Sequence, residues 1–185
     1  VNMAGSRPTT GLNVYTVQEA TNAIAQRKVI RVTPTLSTDA YGASDVLFDA
    51  TEIPNAVLQP GGCSRLVGLS WLNEDDVASD IVLVFMQVQS NLGTINDAVG
   101  SGSLWTNALA KAAKPLGNIK IDNSDNTVDL INNLLYTSGS TGGPVDASIG
   151  LPMFLQAEAD STSVYVAGIS INGTPTCAAD DYEFI

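Results

Sequence analysis

Hydrophobic residues are concentrated in the middle of the chain, in the stretch Asp80-Ile-Val-Leu-Val-Phe-Met-Gln-Val-Gln89. Seven of the eight residues from Ile81 to Val88 are large and apolar. A run of this length that is rich in β-branched and aromatic residues predicts a strand covered on both faces. Burying it contributes about 10–20 kcal/mol of gross transfer free energy, against which chain entropy acts. Other segments must therefore supply two apolar surfaces to cover this strand.

Apolar and polar residues alternate in three shorter segments, which are predicted to be strands: residues 28–33, 45–49 and 63–72. In the first, Ile30 and Val32 share one face, and Pro34 ends the strand because proline cannot donate to the ladder. In the second, Val46 and Phe48 share a face.

Two hairpins are predicted from the order of these segments. The first joins residues 63–72 to the central run through the turn Asn73-Glu-Asp-Asp76. The second joins residues 153–158 to residues 164–171. Both predictions rest on polar turn residues between adjacent apolar segments.

One segment has a clear helical pattern, which predicts a short helix over residues 103–114. Ser103 is placed to cap it, and Pro115 stops it. Residues 119–121 are expected to form a short strand, and residues 128–136 fit either a helix or a strand.

Many short strands with Gly, Pro and Asn turns, and one good helix, predict a mostly β protein. The expected fold is an antiparallel β-sandwich or a jelly-roll-like single domain over residues 14–185. Residues 1–13 lack periodicity and are expected to be an extended N-terminal arm.

The charge of the chain is strongly acidic and unevenly distributed. The net charge is −11, which argues against nucleic acid as a partner because phosphates require clustered Lys and Arg. The first 35 residues nevertheless carry Arg7, Arg27, Lys28 and Arg31 against the single acid Glu19. These four cations are candidates for contact with an acidic neighbouring subunit. The alternative is that they are scattered and have no common role.

The chain contains no histidine, which removes several kinds of site. Zinc sites built on Cys/His clusters and catalytic Cys/His or Ser/His pairs are excluded. No cofactor and no metal are expected. Cys63 and Cys177 are expected to be free, part-buried thiols rather than a disulfide. No apolar run approaches the about 18–20 residues of a membrane span, so no membrane is expected as a partner.

The acidic turns and the carboxylates do not select a site by their spacing. Residues 122–126 place oxygens at alternate positions, as a calcium loop does, but Thr127 and Asn133 occupy the sixth and twelfth positions in place of glycine and a bidentate acid. A solvated turn is expected there, as at residues 74–76. The 19 acids offer many pairs for a glycosidase, and nothing distinguishes one of them.

The aromatic residues are expected to serve mainly the core. Trp71, Trp105 and Tyr165 lie on apolar faces, so packing is favoured over stacking on a sugar.

Several stretches of the chain resemble one family. They include Ile30-Arg-Val-Thr-Pro-Thr-Leu36, Tyr41-Gly-Ala-Ser-Asp-Val-Leu-Phe-Asp49 and Thr51-Glu-Ile-Pro-Asn-Ala-Val57, and later Leu72-Asn-Glu-Asp-Asp76, Asn91-Leu-Gly-Thr94 and Ser161-Thr-Ser-Val-Tyr-Val-Ala167. Together they look like a family of small virion-associated proteins of tailed bacteriophages. The resemblance covers roughly residues 28–96 and 151–176, and its motifs are turns and strands.

The resemblance implies a non-enzymatic, β-rich virion component, most plausibly a capsid decoration (cement) protein on the capsid exterior. The implied partners are the major capsid protein and further copies of this chain, with a trimer as the expected oligomer. The resemblance brings no catalytic residue with it. The alternatives are a head-fibre or tail adhesin module that binds host glycans and, less favoured, an acid hydrolase.

Overall fold

The structure is a computed structural model, and it describes residues 28–74, 79–122, 127–131, 133–137, 151–172 and 175–185. The strands of the described residues are β1 (Val46–Ile53), β2 (Cys63–Leu66), β3 (Ser70–Asn73), β4 (Asp80–Met86), β5 (Pro115–Ile121), β6 (Thr127–Asp129), β7 (Leu134–Thr137), β8 (Met153–Gln156), β9 (Val164–Asn172) and β10 (Tyr182–Phe184). A 3₁₀ turn (Ser101–Ser103) precedes the helix α1 (Asn107–Ala113). The described part of the protein is mostly β with antiparallel sheets and a single α-helix, as the sequence predicts.

The main sheet is built around the apolar run in the middle of the chain. Its strand order is β1-β9-β4-β5, and every pair is antiparallel. β4 is therefore hydrogen-bonded on both sides. Ile81, Leu83 and Phe85 pack into the larger core cluster, whereas Val84 and Met86 face a second, smaller cluster. The prediction that this strand is covered on both faces is confirmed.

The larger core is shared by all three sheets of the described residues. A second sheet has the order β10-β3-β7-β6, and β2 pairs with β8 to form a two-stranded ribbon. Trp71 packs edge-on against Tyr182, with ring centroids 4.9 Å apart, and Met153 of the ribbon joins the same cluster. The ribbon and the second sheet together supply one of the two apolar surfaces that β4 requires.

The other face of the main sheet is covered by α1 and the loop that precedes it. Ala113 of α1 and Leu92 of the loop are buried beside Met86. The loop also occupies the free edge of β1, where the side-chain amide nitrogen of Gln89 donates to the carbonyl of Ala50 (3.1 Å) and the amide oxygen of Asn91 accepts from the Ala50 N–H (3.2 Å). These side chains take the place of a neighbouring strand, because they satisfy the outward backbone N–H and C=O groups of Ala50.

Both predicted hairpins are wrong. Residues 63–72 do not form one strand, because the chain divides at Gly68 into β2 of the ribbon and β3 of the second sheet. β3 pairs with β7 and β10 rather than with β4. In the same way β8 pairs with β2, and β9 pairs with β1 and β4. β9 is apolar on both faces, and a central position in the main sheet buries both of them.

Two local predictions also need correction. Residues 28–33 are extended with alternating burial, but only Val32 forms a bridge, with Phe184. Val46 and Phe48 pack into different clusters because the register of β1 against β9 shifts between them. Such a bulge inserts one residue and turns the following side chains to the other face.

The helix begins later than predicted, and the ambiguous segment is resolved as strands. The Thr106 hydroxyl accepts from the Leu109 N–H (3.3 Å), which makes Thr106 the N-cap in place of Ser103. Ser103 belongs to the preceding 3₁₀ turn, with a φ of 59°. The described part of residues 128–136 lies in β6 and β7 and the turn between them.

Candidate functional site

The outer face of the ribbon is the most distinctive surface of the described residues. Arg65 of β2 lies directly opposite Phe154 of β8, and Cys63 lies opposite Gln156. Because side chains alternate along a strand, Met153 and Leu155 enter the core while Phe154 points outward. Phe154 is 69% exposed, which is unusual for the largest apolar side chain of the ribbon.

Arg65 and Phe154 form a preorganised pair on this face. The guanidinium carbon of Arg65 lies 5.6 Å from the centre of the Phe154 ring, which is the geometry of a cation–π contact. The salt bridges of the described residues do not involve Arg65, so its donors remain free for a partner. Arg and aromatic side chains are enriched where proteins contact one another. Val67, which follows β2, adds a second apolar side chain that is 70% exposed.

The charge around the ribbon differs from that of the whole chain. No acid occurs from Ile53 to Asn73, and Arg65 is the only charged residue in that range. The ribbon therefore combines exposed apolar area with a local positive charge on a chain of net charge −11. An acidic or neutral partner surface can approach this face without the repulsion that the rest of the chain would impose.

A second exposed apolar feature lies at the turn between β6 and β7. Ile131 is 84% exposed, and its φ of 81° is one that a β-branched residue rarely adopts. The Asp129 carboxylate accepts from the Ile131 N–H (2.6 Å), and the Leu130 N–H donates to the carbonyl of Asn133 (2.9 Å). The tight turn thus holds two neighbouring apolar side chains, Leu130 and Ile131, in solvent.

The four predicted contact cations are not brought together by the described structure. Arg7 and Arg27 lie outside the described residues, as does the whole arm over residues 1–13. Lys28 is exposed, and Arg31 pairs with Glu183 of its own C-terminal strand at 3.0 Å. Both side chains of that pair reach solvent, so it contributes about 0–1 kcal/mol. Arg31 therefore joins the start of the described chain to β10.

Both cysteines are free, as predicted, but the expectation that both are part-buried is wrong. Cys63 is exposed on the ribbon and Cys177 is buried. The acidic turns fall mostly outside the described residues, since only residues 74 and 122 of the two predicted turns are described. Within the described ranges, no three Cys, Asp or Glu side chains converge to hold a metal ion.

The aromatic residues that were weighed as sugar-stacking candidates are in the core or partly covered. Trp71 is buried, and Trp105 and Tyr165 are half-buried against the smaller cluster. Packing is therefore the confirmed role of Trp71. Phe154 is the one large exposed aromatic side chain of the described residues.

Burial perturbs the titration of Tyr41 and Asp49, which both lie within the described residues. Burial raises the pKa of Tyr41 to about 12, and its hydroxyl donates to the carbonyl of Leu47 (2.9 Å) while accepting from the Ser37 N–H (2.5 Å). Burial also raises the pKa of Asp49, whose Oδ1 has no hydrogen-bond partner. Through these two hydrogen bonds, the Tyr41 hydroxyl links the loop at Ser37 to Leu47 of β1.

The Arg65–Phe154 pair was not predicted from the sequence. The acid-free range around β2 was a usable signal, because acids are frequent elsewhere in the chain. The outward direction of Phe154 had no such signal, since its neighbours Met153 and Leu155 are apolar too.

The chain was compared with models of protein families, with curated proteins and with solved structures, and none of these comparisons gave a match. No helix among the described residues is both long enough and apolar enough to cross a membrane.

Proposed function

We propose that this chain is a non-enzymatic structural component of a bacteriophage virion, a decoration (cement) protein that binds and stabilises the outer capsid lattice. Its partners are the major capsid protein and copies of itself. The observation that carries the proposal is the exposed Arg65–Phe154 pair on a ribbon whose other face is fixed in the core. A lattice-binding subunit needs such a rigid, complementary surface, because it gains avidity from many repeated weak contacts.

The chemistry of the ribbon fits protein recognition. The stacked guanidinium can pair with a carboxylate of the lattice, and Phe154 and Val67 supply the apolar area around it. Phe154 also has an exposed aromatic face, which is what a glycan-binding adhesin would require. The guanidinium beside Phe154, and the absence of acids from the two strands of the ribbon, favour a protein partner over a sugar.

The proposal is tested by the position of the chain in the particle. Cryo-electron microscopy of purified virions that carry this chain should show its density on the outer face of the capsid lattice. Density on a fibre would replace the proposal with the adhesin alternative. Absence of the chain from purified particles would refute both.

A binding experiment tests the ribbon directly. Phe154→Ser should weaken binding to undecorated capsids about tenfold or more, because an aromatic anchor beside an Arg is a typical hot spot. Leu109→Ser is the matched control, since Leu109 is an exposed apolar residue on α1. Equal capsid binding by the two variants would show that the ribbon does not contact the capsid.

The N-terminal arm is tested separately. Deletion of residues 1–13 should weaken capsid binding more at low salt than at high salt, because Arg7 would act through screened electrostatic attraction. Unchanged affinity at both salt concentrations would show that the arm takes no part.

A further inference from the structure

The free edge of β2 presents backbone groups that no other described residue satisfies. β2 is hydrogen-bonded to β8 alone. The Ala157 N–H donates to the carbonyl of Gly62 (3.2 Å), which fixes the alternation along the ribbon. Cys63–Gln156 and Arg65–Phe154 are then the non-hydrogen-bonded pairs of the ladder. The N–H and C=O groups of Cys63 and Arg65 therefore point away from β8, toward the free edge.

Among the described residues, this edge lacks the cover that the edge of β1 receives. The edge of β1 is covered by the side-chain amides of Gln89 and Asn91. No equivalent hydrogen bond from a described residue reaches Cys63 or Arg65 from the open side of β2. An uncovered edge strand is a template for pairing with another strand.

The charge of the chain indicates which strand can pair there. Two copies with a net charge of −11 each repel one another over most of their surfaces. The range from Ile53 to Asn73 contains no acid, so two copies that meet edge to edge at β2 bring acid-free segments together. An antiparallel strand pair is also self-complementary, since a two-fold axis places each donor opposite an acceptor.

We propose that two copies of this chain pair through the free edges of β2, about a two-fold axis at Ser64. In this register Cys63 lies opposite Arg65 of the other copy, and all outward N–H and C=O groups of these residues are used in four hydrogen bonds. A register that sets Arg65 against Arg65 places like charges directly opposite and is disfavoured. A closed dimer therefore replaces the trimer expected from the resemblance.

The dimer also changes the surface that the ribbon offers. The two ribbons join into one four-stranded sheet that carries two Arg65–Phe154 pairs on the same face. Such a face is bivalent, so a repetitive lattice would bind it with avidity. The pairing itself does not depend on the virion, and it is tested in solution.

Sedimentation equilibrium of the full chain from micromolar to millimolar concentration should show a monomer–dimer equilibrium. Cys63→Pro removes one of the two outward N–H groups of β2 in each copy, and it should raise the dissociation constant about tenfold or more. Gln156→Pro is the matched control. It removes the corresponding N–H from the outer edge of β8 and should leave the dissociation constant unchanged.

Amide hydrogen exchange of the unmodified chain gives a second measurement that needs no variant. The amides of Cys63 and Arg65 should exchange more slowly at high than at low protein concentration, whereas those of Phe154 and Gln156 should not change. A monomer at every concentration, a folded Cys63→Pro variant that still dimerises, or concentration-independent exchange at Cys63 and Arg65 would each overturn the proposal. If Cys63→Pro fails to fold, the exchange experiment decides.

Discussion

Gly168→Ala is expected to be the most damaging glycine-to-alanine change in the main sheet. Gly168 lies opposite Phe48 in the β1–β9 pair, and the Phe48 ring rests on its backbone. A Cβ atom at position 168 would lie 2.2 Å from Cε1 and 2.6 Å from Cδ1 of that ring. Carbon atoms in contact are about 3.5–4.0 Å apart, so the ring or the strand would have to move by more than about 1 Å.

The side chains packed around Phe48 leave little space into which the ring could move. It is fully buried, and its centroid lies 5.6 Å from that of Phe184. Overpacking of a dense core costs about 1–3 kcal/mol, and we expect a loss near the upper end of that range. Gly117→Ala should cost less, because its Cβ would meet the flexible thioether of Met153 rather than a fixed ring. Gly68→Ala should change stability by no more than about 0.5 kcal/mol, since nothing lies within 4 Å of its Cβ position.

Urea unfolding followed by tryptophan fluorescence measures all three variants on one scale. A double-mutant cycle adds Phe48→Leu, whose smaller side chain should reduce the cost of Gly168→Ala by about 1 kcal/mol or more. Two results would refute the steric explanation. One is a Gly168→Ala variant as stable as Gly68→Ala, and the other is an equal cost of Gly168→Ala in the parent chain and in the Phe48→Leu variant.

Three further changes test local features of the fold. Thr106→Ala should lower the free energy of unfolding by about 0.5–1 kcal/mol, because it removes the N-cap of α1. Ser103→Ala should leave the free energy of unfolding unchanged. Thermal unfolding followed by circular dichroism compares the two variants. Ile131→Gly should raise stability by about 0.5–1 kcal/mol in the same assay, because glycine adopts a φ of 81° without strain. Burial raises the pKa of Asp49 from 3.8, so the folded state holds this proton more tightly than the unfolded chain does. The stabilisation is complete below pH 3.8 and is lost as the pH rises through the folded pKa. Asp49→Asn should therefore be more stable than the parent at neutral pH, with a flatter dependence of urea stability on pH.

Each of these expectations has a contrary outcome. Equal melting temperatures for the Thr106 and Ser103 variants would mean that the cap is not formed in solution. A loss of stability in Ile131→Gly would show that the apolar side chain has a packing partner. A stability profile of Asp49→Asn that runs parallel to that of the parent would mean that Asp49 does not titrate differently on folding.

The sequence was sufficient to predict a mostly β protein with a single helix, but it was not sufficient to predict which strands pair. The apolar run of β4 predicted a strand covered on both faces, because its side chains need two apolar surfaces wherever it lies. Pairing depends instead on which distant segment offers the complementary face. β9 is also apolar on both faces, and only a place between β1 and β4 buries both. Local turn residues gave no information on that choice.

Small backbone irregularities account for the remaining differences. The bulge in β1 separates Val46 from Phe48, and the break at Gly68 sends β2 and β3 to different sheets. The outward direction of Phe154 has a different cause. Met153, Phe154 and Leu155 are all apolar, so alternation along β8 could not tell from the sequence which of them faces solvent.

The central position of β9 determines when the chain can fold. β1 and β4 are separated in the main sheet until residues 164–172 insert between them. A ribosome therefore releases more than 160 residues before the main sheet can close. Until then, the apolar faces of β4 and the open edges on either side of the gap remain exposed to other nascent chains. Folding is expected to be slow, because the sheet depends on contacts that are distant in sequence. Overexpression at low temperature, or with a chaperone that holds unfolded chains, should accordingly raise the soluble yield.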